Sequence, residues 1–222
     1  LPVDIRSTQT EEQRMTQTSP TADERKKVPI WRGEWATFAV MILLLTVGRT
    51  SLANHYQVPT GSMEPTLMPG DRVAVNMLAY GLRVPFTDVE LIDRGEPQRG
   101  DVVVFKSPAD GTRLIKRVVA VGGDTVALID GRLWIDGEPL QDAAMGDIEH
   151  FGARDVHLNL RDGGGPDIAT STIPEGMTLV LGDHRGNSAD GRFFGLVPMK
   201  SLYGKASAVY YRSGEGFGWT RL

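Results

Sequence analysis

The chain has no cysteine in its 222 residues. That absence excludes disulfide staples, thiolate nucleophiles and cysteine-ligated zinc or iron–sulfur centres. Positive charge is not in excess either, with 24 Lys and Arg against 28 Asp and Glu and a formal net charge of −4, which argues against a general nucleic-acid-binding surface. Long apolar runs are lacking except for one, and no long amphipathic helical pattern follows it. A chain of this length can bury a sizeable core without staples or a structural metal.

The first thirty residues are rich in Thr, Gln, Ser and charged side chains, so 1–30 reads as a flexible tail. "WATFAVMILLLTVG", residues 35–48, is then uncharged; continued through Ala53 it gives about 19 residues, or roughly 28 Å of helix. Arg25, Lys26, Lys27 and Arg32 precede the run, and Trp31 and Trp35 mark its start as a membrane interface would. The expectation is a single transmembrane helix over 33–53, a cytoplasmic tail before it and an extracytoplasmic body after it. A buried or amphipathic helix of a soluble protein is the alternative.

From residue 54 the pattern changes to short apolar segments bounded by Gly and Asp: "DRVAVNML", "GDVVVFKSP", "RLIKRVVAVGGD", "TVALIDGRLWIDGEPL", "MTLVLGD" and "GKASAVYYR". These predict a mostly β catalytic body over 54–213, with "IDGRLWIDG" a tight hairpin. The polar, glycine-broken interval at about 141–172 is expected as an inserted β excursion outside the core, and 214–222 as a C-terminal tail.

The stretch "QVPTGSMEPTLMPGD", 57–71, sets Ser62 between Gly61 and Met63 in a segment stiffened by Pro59 and Pro65. A nucleophilic serine needs a base. Four histidines are available, at 55, 150, 157 and 184, and His184 in "GDHRGNSADGR" is the strongest of them. Lysine offers another solution, because a desolvated ammonium loses affinity for its proton. In "RLIKRVVAV", alternation places Leu114, Lys116 and Val118 on one strand face, so Lys116 is flanked by apolar neighbours. A solvated lysine at a sheet edge is the competing reading.

"PTGSMEPTLMPGD" at 59–71, "GDVVVFKSP" at 100–108, "RLIKRVVAVGGD" at 113–124 and "LGDHRGNSADGRFFGLVP" at 181–198 together resemble, in order, segments of the bacterial type I signal peptidases. The resemblance implies a membrane-anchored serine endopeptidase with a Ser/Lys dyad, Ser62 as nucleophile and Lys116 as general base. It implies an oxyanion hole made by the Ser62 backbone N–H and the Thr60 hydroxyl. Ser188 would aim the lysine amine, while Asp183, Asp190 and Arg192 would support the loop. His184, Gly186 and Gly191 depart from the family's asparagine, aspartate and serine, which puts the rigidity of that loop in question.

The implied partners are signal-peptide-bearing preproteins with small residues before the cut, the lipid bilayer, and a neighbouring protein translocation machinery at the bacterial cytoplasmic membrane. Val58, Met63, Leu67, Leu114 and Ile115 are expected to wall the substrate pockets. No nucleic acid, cofactor or metal is expected: Asp183, His184 and Asp190 lie in one short loop without zinc-ligand spacing. A LexA-like self-cleaving protease and a catalytically inactive membrane-tethered β module that binds exported chains are the rival classes.

Overall fold

Runs of β-branched residues punctuated by Gly and Asp favour short strands joined by tight turns. A computed structural model describes residues 35–42, 53–83, 90–93, 95–141 and 146–222. The chain divides into two units, Leu1–Ile42 and Leu43–Leu222. In the first, residues 35–42 form helix α1 with exposed side chains. Among the described residues no helix is long and apolar enough to cross a membrane. The expected span over 33–53 falls largely outside them, and its last residue, Ala53, is the first of a strand.

Among the described residues, the second unit holds sixteen strands, one short α-helix and three single turns of 3-10 helix. They are β1 (Ala53–Gln57), β2 (Arg72–Asn76), β3 (Gly81–Arg83), β4 (Glu90–Asp93), β5 (Val102–Lys106), β6 (Arg113–Val121), β7 (Thr125–Ile129) and β8 (Arg132–Ile135). There follow β9 (Glu138–Pro139), β10 (Ile148–Phe151), β11 (Arg154–His157), β12 (Ile168–Thr172), β13 (Met177–Leu181), α2 (Gly191–Phe194), β14 (Val197–Pro198), β15 (Leu202–Arg212) and β16 (Gly216–Arg221). The main sheet runs β1-β2-β15-β5-β6-β13-β14, with β16 paired to β15, and a second sheet runs β12-β7-β8-β9.

The "IDGRLWIDG" turns take the expected form. Asp130 and Gly131 have φ of 50° and 75°, and Asp136 and Gly137 have 54° and 86°, so each Asp-Gly pair supplies the two left-handed residues that a two-residue hairpin needs.

Strands β5 and β6 lie in the middle of the main sheet and are covered on both faces. Val102 and Val104 enter one core cluster with Met63 and Leu67, whereas Val103 and Phe105 enter another with Val118 and Leu202. Lys116 pairs with Val103 in this register, so the lysine sits in a central strand and not at a solvated edge.

Two expectations need correction. The 141–172 interval is no mere excursion, because Phe151, Val156 and Leu158 join a core cluster with Val119, Leu128 and Leu181, and β12 pairs with β7. Alternating apolar residues within its polar background drive that burial. The 214–222 segment is not a tail: β16 pairs with β15, and Phe217 packs edge-on against Tyr211 at 5.2 Å.

Candidate active site

Ser62 occupies a single turn of 3-10 helix, Gly61–Met63, entered from Thr60 in extended conformation. Two backbone bonds, Val58 N–H to Asp71 O and Gly70 N–H to Val58 O, close the base of its loop. Met63 and Leu67 anchor the loop from below, both without exposed surface. Val58, Met63 and Leu67 share one apolar cluster, and Ile115, another of the residues expected to wall the substrate pockets, packs against it partly buried. Leu114 and Ile115 remain half-buried at the start of β6.

Strand β6 brings Lys116 to the serine. Its Nζ is in hydrogen-bond contact with Ser62 Oγ. Lys116 is 3 % exposed and Ser62 8 %, so neither side chain is bathed in solvent. Burial pulls the lysine amine from its ordinary 10.5 down to about 8; Asp190 and Asp183 pull the other way, and Arg192 adds to the depression. A neutral amine is thereby accessible near neutral pH. Thr60 Oγ1 lies 3.5 Å from Ser62 Oγ, at the limit of a hydrogen bond.

The loop after β13 packs directly against Ser62. A Cβ at Gly182 would overlap both Ser62 O and Ser188 Oγ, so only glycine permits this approach. Asp190 caps α2 through the Arg192 N–H at 3.3 Å and accepts the Gly182 N–H at 2.9 Å. It also pairs with the Arg192 guanidinium at 2.8 Å, both side chains fully buried. Arg192 in turn donates to Gly164 O and Arg185 O, each at 2.6 Å.

Ser188 makes no side-chain hydrogen bond to Lys116 in this structure. Its Oγ is buried without a hydrogen-bond partner, and the Lys116 amine contacts Ser62 instead. His184 stands apart from the Ser62–Lys116 contact. Its ring Nδ1 is 3.3 Å from Gly61 O and its Nε2 is 2.8 Å from Asp162 Oδ2, with no hydrogen bond to Ser62 Oγ among the described residues.

Asp183 is held by a partner that the sequence reading missed. Arg117 donates to it in bidentate fashion at 2.8 and 2.7 Å, and Thr66 Oγ1 donates at 2.6 Å. Arg117, 4 % exposed, also reaches Gly100 O at 2.7 Å. Strand alternation sends it to the face opposite Lys116, so the two adjacent cations serve different sides of one strand. A buried arginine inside an apolar run was the available signal.

The departures Gly186 and Gly191 also acquire a physical account. A Cβ at Gly186 would overlap Asp162 O, and one at Gly191 would approach Leu179 Cδ1 at 2.7 Å. Both positions are packed too closely for the side chains that the resemblance would supply.

The chain matches the family described as "Signal peptidase, peptidase S26" over residues 32–211. It is 34 % identical over 217 residues to a protein of Pseudomonas aeruginosa named signal peptidase I, covering 85 % of this chain and 75 % of that one. To the signal peptidase I of Aquifex aeolicus it is 30 % identical over 223 residues, covering 78 % and 81 %. A crystal structure of a signal peptidase I from Enterococcus faecalis is 33 % identical, covers 51 % of this chain and 98 % of its own, and superposes with a TM-score of 0.37.

Proposed function

The chain belongs to the signal peptidase family, peptidase S26, and from that premise we propose that it removes signal peptides from exported preproteins, with Ser62 as nucleophile and Lys116 as general base. The observation that carries this reading is the contact between Lys116 Nζ and Ser62 Oγ inside a desolvated site. The neutral amine takes the hydroxyl proton as Ser62 Oγ attacks the scissile carbonyl carbon, and returns it to the departing amine. Water then attacks the acyl-enzyme by the same proton route.

Charge develops on the carbonyl oxygen in the tetrahedral state. The Ser62 N–H and the exposed Thr60 hydroxyl are the proposed donors, each worth about 3 kcal/mol where one such donor is lost. Ser188 holds an unspent hydroxyl and is proposed to aim the amine during turnover. Asp183, Asp190 and Arg192 hold the loop that carries it. Leu114 and Ile115 are proposed to contact an extended substrate with small residues at positions −1 and −3, laid beside β6.

The test is cleavage of a preprotein ending its signal in Ala-X-Ala. Ser62→Ala and Lys116→Ala are expected to lower kcat at least about a thousandfold, since nucleophile and base act as one unit. Lys116→Arg is expected to fail equally, because a guanidinium stays protonated. Near-normal turnover by Lys116→Ala, with loss in His184→Ala, would transfer the base role to histidine.

A further inference from the structure

Two groups of one residue bracket the nucleophile. The His184 backbone N–H donates to Ser62 O at 3.2 Å, and its ring Nδ1 lies 3.3 Å from Gly61 O. Those carbonyls belong to the two peptide units on either side of Ser62. The Gly61 carbonyl and the Ser62 N–H share one planar unit and point in opposite directions. A donor that fixes the carbonyl therefore fixes the aim of the N–H. Receiving that hydrogen bond also polarises the unit and strengthens the N–H as a donor.

The ring is itself held in place. It is 7 % exposed, with Asp162 Oδ2 2.8 Å from Nε2 and Glu64 Oε2 3.8 Å from Nδ1. Asp162 Oδ2 stands beside Nε2, off the line of a hydrogen bond. Gly61 O can only accept, so it is the Nδ1–H tautomer of the ring that makes this contact a hydrogen bond. Asp162 reaches this position because Gly186 has no side chain to displace its backbone. Asn159 completes the clasp by accepting from the Arg185 N–H at 3.1 Å and donating to Asp183 O at 2.9 Å. The departures at 184 and 186 thus form one unit, a loop brought against a ring.

We propose that His184 is a positioning residue for the oxyanion hole, its ring aligning the Gly61–Ser62 peptide so that the Ser62 N–H faces the developing oxyanion. This rests on Ser62 being the nucleophile. The ring is no base here, since Ser62 Oγ has Lys116 Nζ and Thr60 Oγ1 as its partners. Gly61 O also accepts the Glu64 N–H at 3.1 Å, so losing the ring leaves one of two donors. The expected loss is correspondingly smaller than the roughly 100- to 1000-fold that follows complete removal of an oxyanion donor.

Steady-state cleavage of an Ala-X-Ala preprotein by the full chain tests this, with His184→Ala, His184→Asn and His184→Gln beside the wild type and Ser62→Ala. An asparagine amide nitrogen falls near the Nδ1 position and a glutamine amide nitrogen near Nε2. His184→Ala is expected to lose about tenfold in kcat with KM changed less than about twofold. His184→Asn should recover to within about threefold of wild type, while His184→Gln stays near the alanine variant. Wild-type kcat in His184→Ala overturns the proposal, as does an asparagine variant no better than alanine, or a loss confined to KM. Wild-type turnover no greater than that of Ser62→Ala would instead overturn the peptidase reading itself.

Discussion

A lysine that must work as a base has to give up its proton while surrounded by carboxylates. Asp190 and Asp183 both favour the charged amine, yet burial outweighs them and sets it at about 8. Two consequences follow with the same sign. Below about 8 the folded protein's Lys116 is charged and the proposed base is occupied, so kcat/KM should climb with pH through that region and level off above it. Stability should also rise with pH between about 8 and the ordinary 10.5, because there the unfolded chain binds the proton and the folded one does not. Lys116→Met should abolish that slope in urea titrations at successive pH values. A slope unchanged in Lys116→Met would mean that some other group carries it.

At the scale of elements, the candidate site depends on parts distant in sequence. Arg185, 1 % exposed, donates to Gly131 O of the β7–β8 turn at 2.5 Å, to Gly182 O at 3.2 Å and to Glu149 Oε2 at 2.6 Å. Glu149, on β10, has no exposed surface. One guanidinium therefore joins the hairpin β10–β11, the turn and the loop beside Ser62. Removing either partner strands the other charge, so Glu149→Leu and Arg185→Met should each cost about 3–5 kcal/mol in chemical denaturation. The double variant should cost less than the sum of the two, because no buried charge then remains alone. Strict additivity would show that the pair is not coupled.

That clasp also marks where the sequence stopped being informative. The Asp-Gly turns and the β5, β6 and β13 strands were legible because period-two alternation and left-handed turn residues are local signals. Ser62 and Lys116 were legible through their blocks and through the apolar neighbours of the lysine. Arg117–Asp183 and Arg185–Glu149 were not, since each pairing spans 66 or 36 residues and no spacing rule connects a strand to a distant loop. The misread 141–172 interval failed for a related reason: its apolar residues are few, and their burial depends on partners in β6, β7 and β13.

For the whole molecule the prediction is topological: the apolar run at 35–48 anchors the chain in a bilayer and the body lies outside the cytoplasm. Arg25, Lys26, Lys27 and Arg32 stand on one flank of the apolar run, and positive residues near a span stay in the cytoplasm. The strand β1 begins at Ala53, which limits a span starting at Gly33 to about 20 residues, a length that crosses the hydrocarbon core if it is helical. Protease added outside intact spheroplasts should then digest the body and leave a short membrane-retained N-terminal fragment. A body that survives in intact spheroplasts but is digested after lysis would place it in the cytoplasm and reverse the orientation; release of the uncut chain by alkaline carbonate would remove the anchor altogether.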